Sequence, residues 1–218
     1  MKVLIFDTET TGLPQERNPS ITETHKWPHI IQLSFILYDT STITVVDWGD
    51  DIIRVSKDVE ITPKSIEIHG ITRGMVQRKG ISIHNALKKF NESLKIADYI
   101  VGHNISFDKR MIMVESIRLK LPQYFTISGL RKSEYCTMKR NVELCKIEKI
   151  SRFGEKYFKY PSLSELYLHL FGEMPKGTHD SMADVLICAR CYGVIVHNHD
   201  ITNSGCKQFK NFYKVYCV

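Results

Sequence analysis

The chain has 218 residues, 43% of them hydrophobic and 25% charged, enough for one domain of generous size whose core needs no disulfide or metal staple. That composition excludes disorder as the main theme, and no apolar run reaches the roughly 18 residues a membrane helix needs. The 30 Lys and Arg against 24 Asp and Glu leave a net charge of +6, compatible with nucleic acid but far from a histone-like excess.

Lys2 to Phe6 is a short apolar run that ends in Asp7-Thr8-Glu9-Thr10-Thr11-Gly12. It reads as a buried strand feeding a polar turn. The opening is too short and too acidic for a signal peptide, so an intracellular protein is expected. The stretch from Pro14 to Pro28 carries three prolines and reads as a loop. Ile30 to Tyr38 is β-like, and Ile43 to Val55 reads as one or two further strands, so the chain opens as an antiparallel meander. Helical spacing then takes over at Pro63 to His69 and at Ser82 to Lys95, where Ile83, Ala86, Leu87, Phe90 and Leu94 share one face. Tyr99 to Gly102 is a short strand ending at His103-Asn104. Phe107 to Leu119 is helical and Ser133 to Thr137 is a candidate last strand. Ser162 with Glu165 three residues on makes a capping box for a helix ending at Gly172, and Ser181 to Val196 is a long apolar helix. The tail from Asn198 onward is polar and mixed. Strands first, then helices alternating with strands, suggest a mixed sheet flanked by helices.

Six cysteines accompany this pattern, and without an export signal they read as reduced thiols. Cys188-x-x-Cys191 has no second CxxC or His pair beside it and lies in an apolar helix, which favours buried structural cysteines over metal ligands.

Acids terminate the apolar segments. Asp7 and Glu9 stand two apart at a strand end and therefore face one cavity. Asp108 lies at a helix start, where a dipole partner is the plain alternative. Asp184, one turn into the last helix, has apolar neighbours and wants a partner. Four acids and a histidine on different elements suit hard divalent cations such as Mg²⁺, which take carboxylate and phosphate oxygens. A zinc or copper site would want Cys and His clusters.

Phe6-Asp7-Thr8-Glu9-Thr10-Thr11-Gly12-Leu13, His103-Asn104-x-x-Phe107-Asp108 and His179-Asp180-x-x-x-Asp184 resemble the three motifs of the DEDDh group of 3′→5′ exonucleases. That group includes the proofreading subunits of bacterial replicative polymerases, ribonuclease T and the TREX enzymes. The resemblance covers residues 1–197, and His69-Gly70-Ile71-Thr72 and Trp27 to Leu33 extend it. It implies a ribonuclease H-like α/β fold, a five-stranded mixed sheet flanked by helices, with 1–197 as the exonuclease domain. Residues 198–218 would be a tail, either a packed terminal helix or a docking segment.

By the same resemblance, Asp7, Glu9, Asp108 and Asp184 hold two Mg²⁺ or Mn²⁺ ions per active site. His179 is the general base, a role that suits an imidazole near neutral pH. The reaction would release nucleoside 5′-monophosphates from the 3′ end of DNA or RNA. Thr8, Thr10, Thr11, Gly12, Leu13, His69, Asn104 and Phe107 would contact the terminal nucleotide. Leu13 and Phe107 are equally readable as core, and His103 as a structural hydrogen bond. Between residues 139 and 160, basic and aromatic residues alternate. That stretch reads as a solvated loop, with single-strand binding as the alternative. The expected partner is single-stranded or 3′-ended nucleic acid, with a polymerase as a further candidate and no membrane. The competing class is a binding module that keeps the fold without the activity, which the full acid set argues against.

Overall fold

The computed structural model describes all 218 residues. The N-terminal part forms β1 (Lys2–Thr10), β2 (Ile30–Asp39), β3 (Thr44–Ile52), α1 (Pro63–His69), α2 (Arg73–Lys79), α3 (Ile83–Ile96), β4 (Tyr99–Gly102) and α4 (Ile105–Arg118). The two-residue strands β5 (Thr126–Ile127) and β6 (Leu130–Arg131), then β7 (Ser133–Cys136), α5 (Val142–Cys145), β8 (Glu148–Ile150), β9 (Lys156–Phe158), α6 (Leu163–Phe171), α7 (Ser181–His197) and α8 (Lys207–Tyr216) complete it.

The main sheet has five strands in the order β3-β2-β1-β4-β7. The meander β1–β2–β3 is antiparallel, and β4 and β7 add in parallel beside β1. Parallel neighbours need crossovers, and the helices between them supply those. β1 sits at the centre with both faces covered, which is why its sequence is a near-continuous apolar run. Its alternation divides the core. Val3 and Ile5 pack with Leu166, Val185, Leu186 and Phe209 on the side of α6, α7 and α8. Leu4 and Phe6 pack with Leu87, Phe90, Met111 and Val114 on the side of α3 and α4. Phe6 and Phe90 meet edge to face at 5.2 Å, an arrangement that adds to plain burial.

The capping box is formed: Ser162 Oγ accepts from Glu165 N, and Glu165 Oε2 accepts from Ser162 N. Gly172 closes α6 in the left-handed region at φ 74°. Several details depart from the sequence reading. α4 begins at Ile105 rather than Phe107, because Asn104 at φ 61°, ψ 36° turns the chain from β4 directly into the helix. Ile43 to Val55 holds one strand, β3, within the one or two expected. The 139–160 stretch is not a loop: α5 and an antiparallel β8–β9 hairpin occupy it. The tail contains α8, whose Phe209 is fully buried and whose Phe212 ring lies 4.8 Å from Trp48.

Arg190 ties this tail down. Its guanidinium donates to both Asp200 oxygens and to the hydroxyls of Tyr167 and Tyr213, and it stacks 3.9 Å from the Phe171 ring centroid. The tail's aromatic side chains thus pack against the rest of the fold. All six cysteines are unpaired, and Cys188 and Cys191 are core residues under α7. No helix is long and apolar enough to cross a membrane.

Candidate metal centre

Strand alternation places Asp7 and Glu9 on the face of β1 that carries Val3 and Ile5, the face α7 covers. The N-terminus of α7 is fastened there by three groups. Asp180 caps it, accepting from Met182 N and Ala183 N at 3.1 Å each. Ser181 Oγ donates to the Asp7 carbonyl at 2.9 Å, and Ser181 N donates to Gln32 Oε1 at 3.3 Å. One turn on, Asp184 is delivered to the same point. Ligand oxygens of Asp7, Glu9 and Asp184 lie within 4.8 Å of one another.

Asp108 reaches the region from the opposite face. It is buried in the first turn of α4, where its Oδ1 accepts from Thr8 N at 3.1 Å and Thr8 Oγ1 at 2.8 Å. It stands outside the close trio, near enough that the Asp7 charge raises its carboxyl and its own charge raises that of Glu9. Burial is the largest influence on every one of these carboxyls. It pushes Asp7 up to about 7 and, with the charges of Asp7, Asp184, Asp108 and Asp180, pushes Glu9 up to about 9. Asp184 rises to about 8 by burial and then by the Asp7 charge, and Asp108 is held well above the usual carboxylate range by the same two causes.

Such a cluster lacks a counter-charge of its own. Asp184 Oδ1 is buried with no hydrogen-bond partner, an orphan acceptor of the kind that marks an ion site. An all-oxygen donor set with an unused buried acceptor fits a hard divalent cation and does not fit a thiolate or imidazole metal.

His179 is exposed on the loop that precedes α7, with φ 71°, and its N–H donates to Asp184 Oδ2 at 3.3 Å. Two residues earlier, Gly177 has φ 76°, and a Cβ there would lie 2.1 Å from the Tyr216 carbonyl oxygen. Only glycine tolerates both conditions. The end of α8 therefore presses on the histidine loop, and Tyr216 OH donates to Asp50 Oδ2 at 2.8 Å. Asp50 Oδ1 accepts from Gln32 Nε2 at 2.9 Å and Ser34 Oγ at 2.8 Å, and Gln32 Nε2 also reaches Asp180 Oδ2 at 3.3 Å. Sequence reasoning missed this chain of contacts. Asp180 and Gln32 stood inside recognised segments, but nothing local in the sequence marks Asp50 or Tyr216.

The predicted substrate residues divide. Thr8 is buried and its hydroxyl donates to Asp108, which positions that carboxylate. Thr10 Oγ1 donates to the Gly12 carbonyl at 2.7 Å, and Thr11 exchanges hydrogen bonds with His29. Both side chains shape the turn after β1. Gly12 lets Thr62 approach, since a Cβ there would sit 3.2 Å from its methyl group. Leu13 is 82% exposed, which excludes the core alternative. Asn104 and Phe107 line a cavity of about 160 Å³ together with Pro14 and Trp27 of the Pro14–Pro28 loop. Arg118 straps that loop to α4 by donating to the carbonyls of Thr24, Trp27 and Pro28. His69 Nδ1 accepts from Ile71 N at 3.0 Å, which leaves Nε2 buried without a partner. Burial holds its imidazole below the usual histidine range. His103 lies 2.9 Å from Thr137 Oγ1 and 3.2 Å from the Pro161 carbonyl, a structural residue at the strand end.

A family model for exonucleases of the ribonuclease T type matches residues 4–192. Among solved structures, exonuclease I from E. coli bound to a dA16 oligonucleotide superposes with a TM-score of 0.60 and 17% identity, over 90% of this chain and 41% of that one. A thermophilic exonuclease I from Methylocaldum szegediense gives 0.59 and 16%, over 92% and 42%. A 3′-exonuclease that recognises a histone mRNA stem-loop gives 0.61 and 18%, over 92% and 65%. At these identities the likeness is one of fold, and the chain spans about two fifths of the exonuclease I length. No curated protein matches the chain in sequence.

Proposed function

The chain belongs to the exonuclease family whose model spans residues 4–192, and from that premise we propose that it is a metal-dependent 3′→5′ exonuclease. It hydrolyses phosphodiester bonds from the 3′ end of DNA or RNA and releases nucleoside 5′-monophosphates. The observation that carries this reading is the convergence of Asp7, Glu9 and Asp184 within 4.8 Å, with one Asp184 oxygen buried and unpartnered.

Asp7, Glu9 and Asp184 would hold one Mg²⁺ or Mn²⁺ ion, with Asp7 and Asp108 serving a second. When bound, the ions supply Lewis-acid stabilisation of the phosphate and a more acidic attacking water. Thr8 fixes the Asp108 carboxylate so that it needs no reorganisation during the reaction. The His179 imidazole takes the proton from the attacking water, on a loop whose backbone is tied to Asp184. With Nδ1 accepting from Ile71, the His69 proton lies on Nε2, free to donate to an oxygen of the terminal nucleotide. The cavity beside Asn104 and Phe107 bounds the terminal nucleoside, and exposed Leu13 meets the last base at its rim.

Relatives in fold bind a dA16 oligonucleotide and a histone mRNA stem-loop, so both DNA and RNA stand within the proposal. Residues 1–197 form the exonuclease domain in this reading, with 198–218 packed on it. Six unpaired thiols suit an intracellular setting. The test is degradation of 5′-labelled DNA and RNA oligonucleotides. Shortening from the 3′ end is expected with Mg²⁺ and none with chelator. Folded Asp184→Asn and His179→Ala variants should lose nearly all activity, and undiminished cleavage in either would refute the site.

A further inference from the structure

The β8–β9 hairpin, Glu148–Phe158, is the part of the molecule that the hydrolytic centre does not use, and its two faces differ. On one face Lys156 pairs with Glu148, and at the base Lys159 pairs with Glu165. Those cations are already neutralised within the fold. On the other face Lys149 stands directly across from Tyr157 in the antiparallel register, so the two side chains lie side by side. At the tip the Arg152 guanidinium lies 4.8 Å from the Phe153 ring centroid. Neither Lys149 nor Arg152 has a carboxylate partner. The rings beside them are open: Phe153 is 77% exposed, Tyr157 50% and Tyr160 57%. An aromatic surface left in water beside unpaired cations marks a binding face more than a packing fault.

The base of the hairpin fixes where it stands. The Pro161 carbonyl, next to Tyr160, accepts from His103 Nε2 at 3.2 Å. His103 follows β4, which pairs in parallel with β1 through Ile5 and Val101. Two residues beyond that pair on each strand are Asp7 and His103, so the hairpin rises beside the carboxylate cluster. From Tyr160 to Lys156 the extended chain covers about 13 Å at about 3.3 Å per residue, and Phe153 stands on the turn beyond.

We propose that the strip formed by Tyr157, Lys149, Arg152 and Phe153, with Tyr160 exposed at the base of the hairpin, binds a single-stranded polynucleotide just upstream of the 3′ end that enters the metal centre. Separated rings stack on successive unpaired bases, and the two free cations meet the phosphates between them. A duplex offers no open base faces to such rings, which is why the occupant is a single strand. The inference rests on the exonuclease reading for the direction in which the strand lies.

The experiment compares Phe153→Ala/Tyr157→Ala and Lys149→Glu/Arg152→Glu with the unmodified protein. Binding of a labelled single strand of roughly fifteen nucleotides is measured by anisotropy in Ca²⁺, and each double variant should bind at least about tenfold more weakly. The charge variant should also flatten the salt dependence of binding. Hydrolysis of the p-nitrophenyl ester of thymidine 5′-monophosphate, too small to reach the strip, should stay within about twofold in both variants. Unchanged affinity for the single strand overturns the proposal whether or not the ester is turned over. Loss of ester hydrolysis along with binding also overturns it, because the hairpin would then be supporting the centre. Equal loss of duplex binding overturns the single-strand assignment. Failure of the unmodified protein to hydrolyse either substrate defeats the exonuclease reading by itself, and the binding comparison still decides the strip.

Discussion

Replacing Asp7 by Asn should abolish hydrolysis and at the same time stabilise the metal-free protein. Burial, aided by the Asp180 charge, raises the Asp7 carboxyl from 3.8 to about 7 in the fold. Between those values the folded chain holds a proton that the unfolded chain releases. Stability from this group is therefore complete below pH 3.8 and is lost as pH climbs through about 7. Each tenfold in proton affinity is worth about 1.4 kcal/mol, so an ionised Asp7 costs the apo fold on the order of 2–4 kcal/mol at about pH 8. Asparagine keeps the shape without the charge. For a chain of this size that is a rise of about 5–15 °C in Tm. Thermal unfolding with chelator at about pH 5 and about pH 8 should show the variant gaining at both, and clearly more at the higher pH. Magnesium should reverse the ranking there, by stabilising only the protein that can hold it. An asparagine variant no more stable than the parent at the higher pH in chelator would refute the account of an uncompensated carboxylate cluster.

Thr8→Val removes the hydroxyl that holds Asp108, and metal affinity or kcat should fall about 10–100-fold with the fold retained, read from magnesium titrations of activity. Gly177→Ala puts a methyl group against the Tyr216 carbonyl at positive φ, so kcat should drop through displacement of the His179 loop, with circular dichroism unchanged at low temperature. Arg190→Met leaves Asp200 without its partner between α7 and the tail, and should cost about 3–5 kcal/mol in denaturant unfolding. Tyr216→Phe deletes one hydrogen bond to Asp50 and should cost about 1–3 kcal/mol, with a smaller loss of activity than Gly177→Ala.

The legible parts of the site were those that strand or helix periodicity determines. Asp7 and Glu9 share a face because strand side chains alternate, and the capping box at Ser162 set the start of α6. By the same rule Thr8, one residue from Asp7, points to the other face and meets Asp108. In the tail, Phe209, Phe212, Tyr213 and Tyr216 recur at helical spacing, and they lie on α8. The hairpin was obscured because strands of three residues are too short for alternation to stand out from a basic loop. Asp50 and its contact with Tyr216 lay beyond local reading altogether. Asp50 joins the site through its register opposite Ser34, and Tyr216 through the docking of α8.

The hydrogen bonds that close the centre join residues far apart in the chain. Thr8 and Asp108 are 100 residues apart, Tyr216 and Asp50 are 166 apart, and Ser181 and Asp7 are 174 apart. Closing such loops is entropically expensive, and contacts of this span form late in folding. A chain still folding holds Asp7 and Glu9 on one strand, with Asp184 and His179 elsewhere. The hydrolytic apparatus thus comes into being only with the finished fold. On the proposed function, a half-made or partly opened molecule would be unable to cut nucleic acid around it.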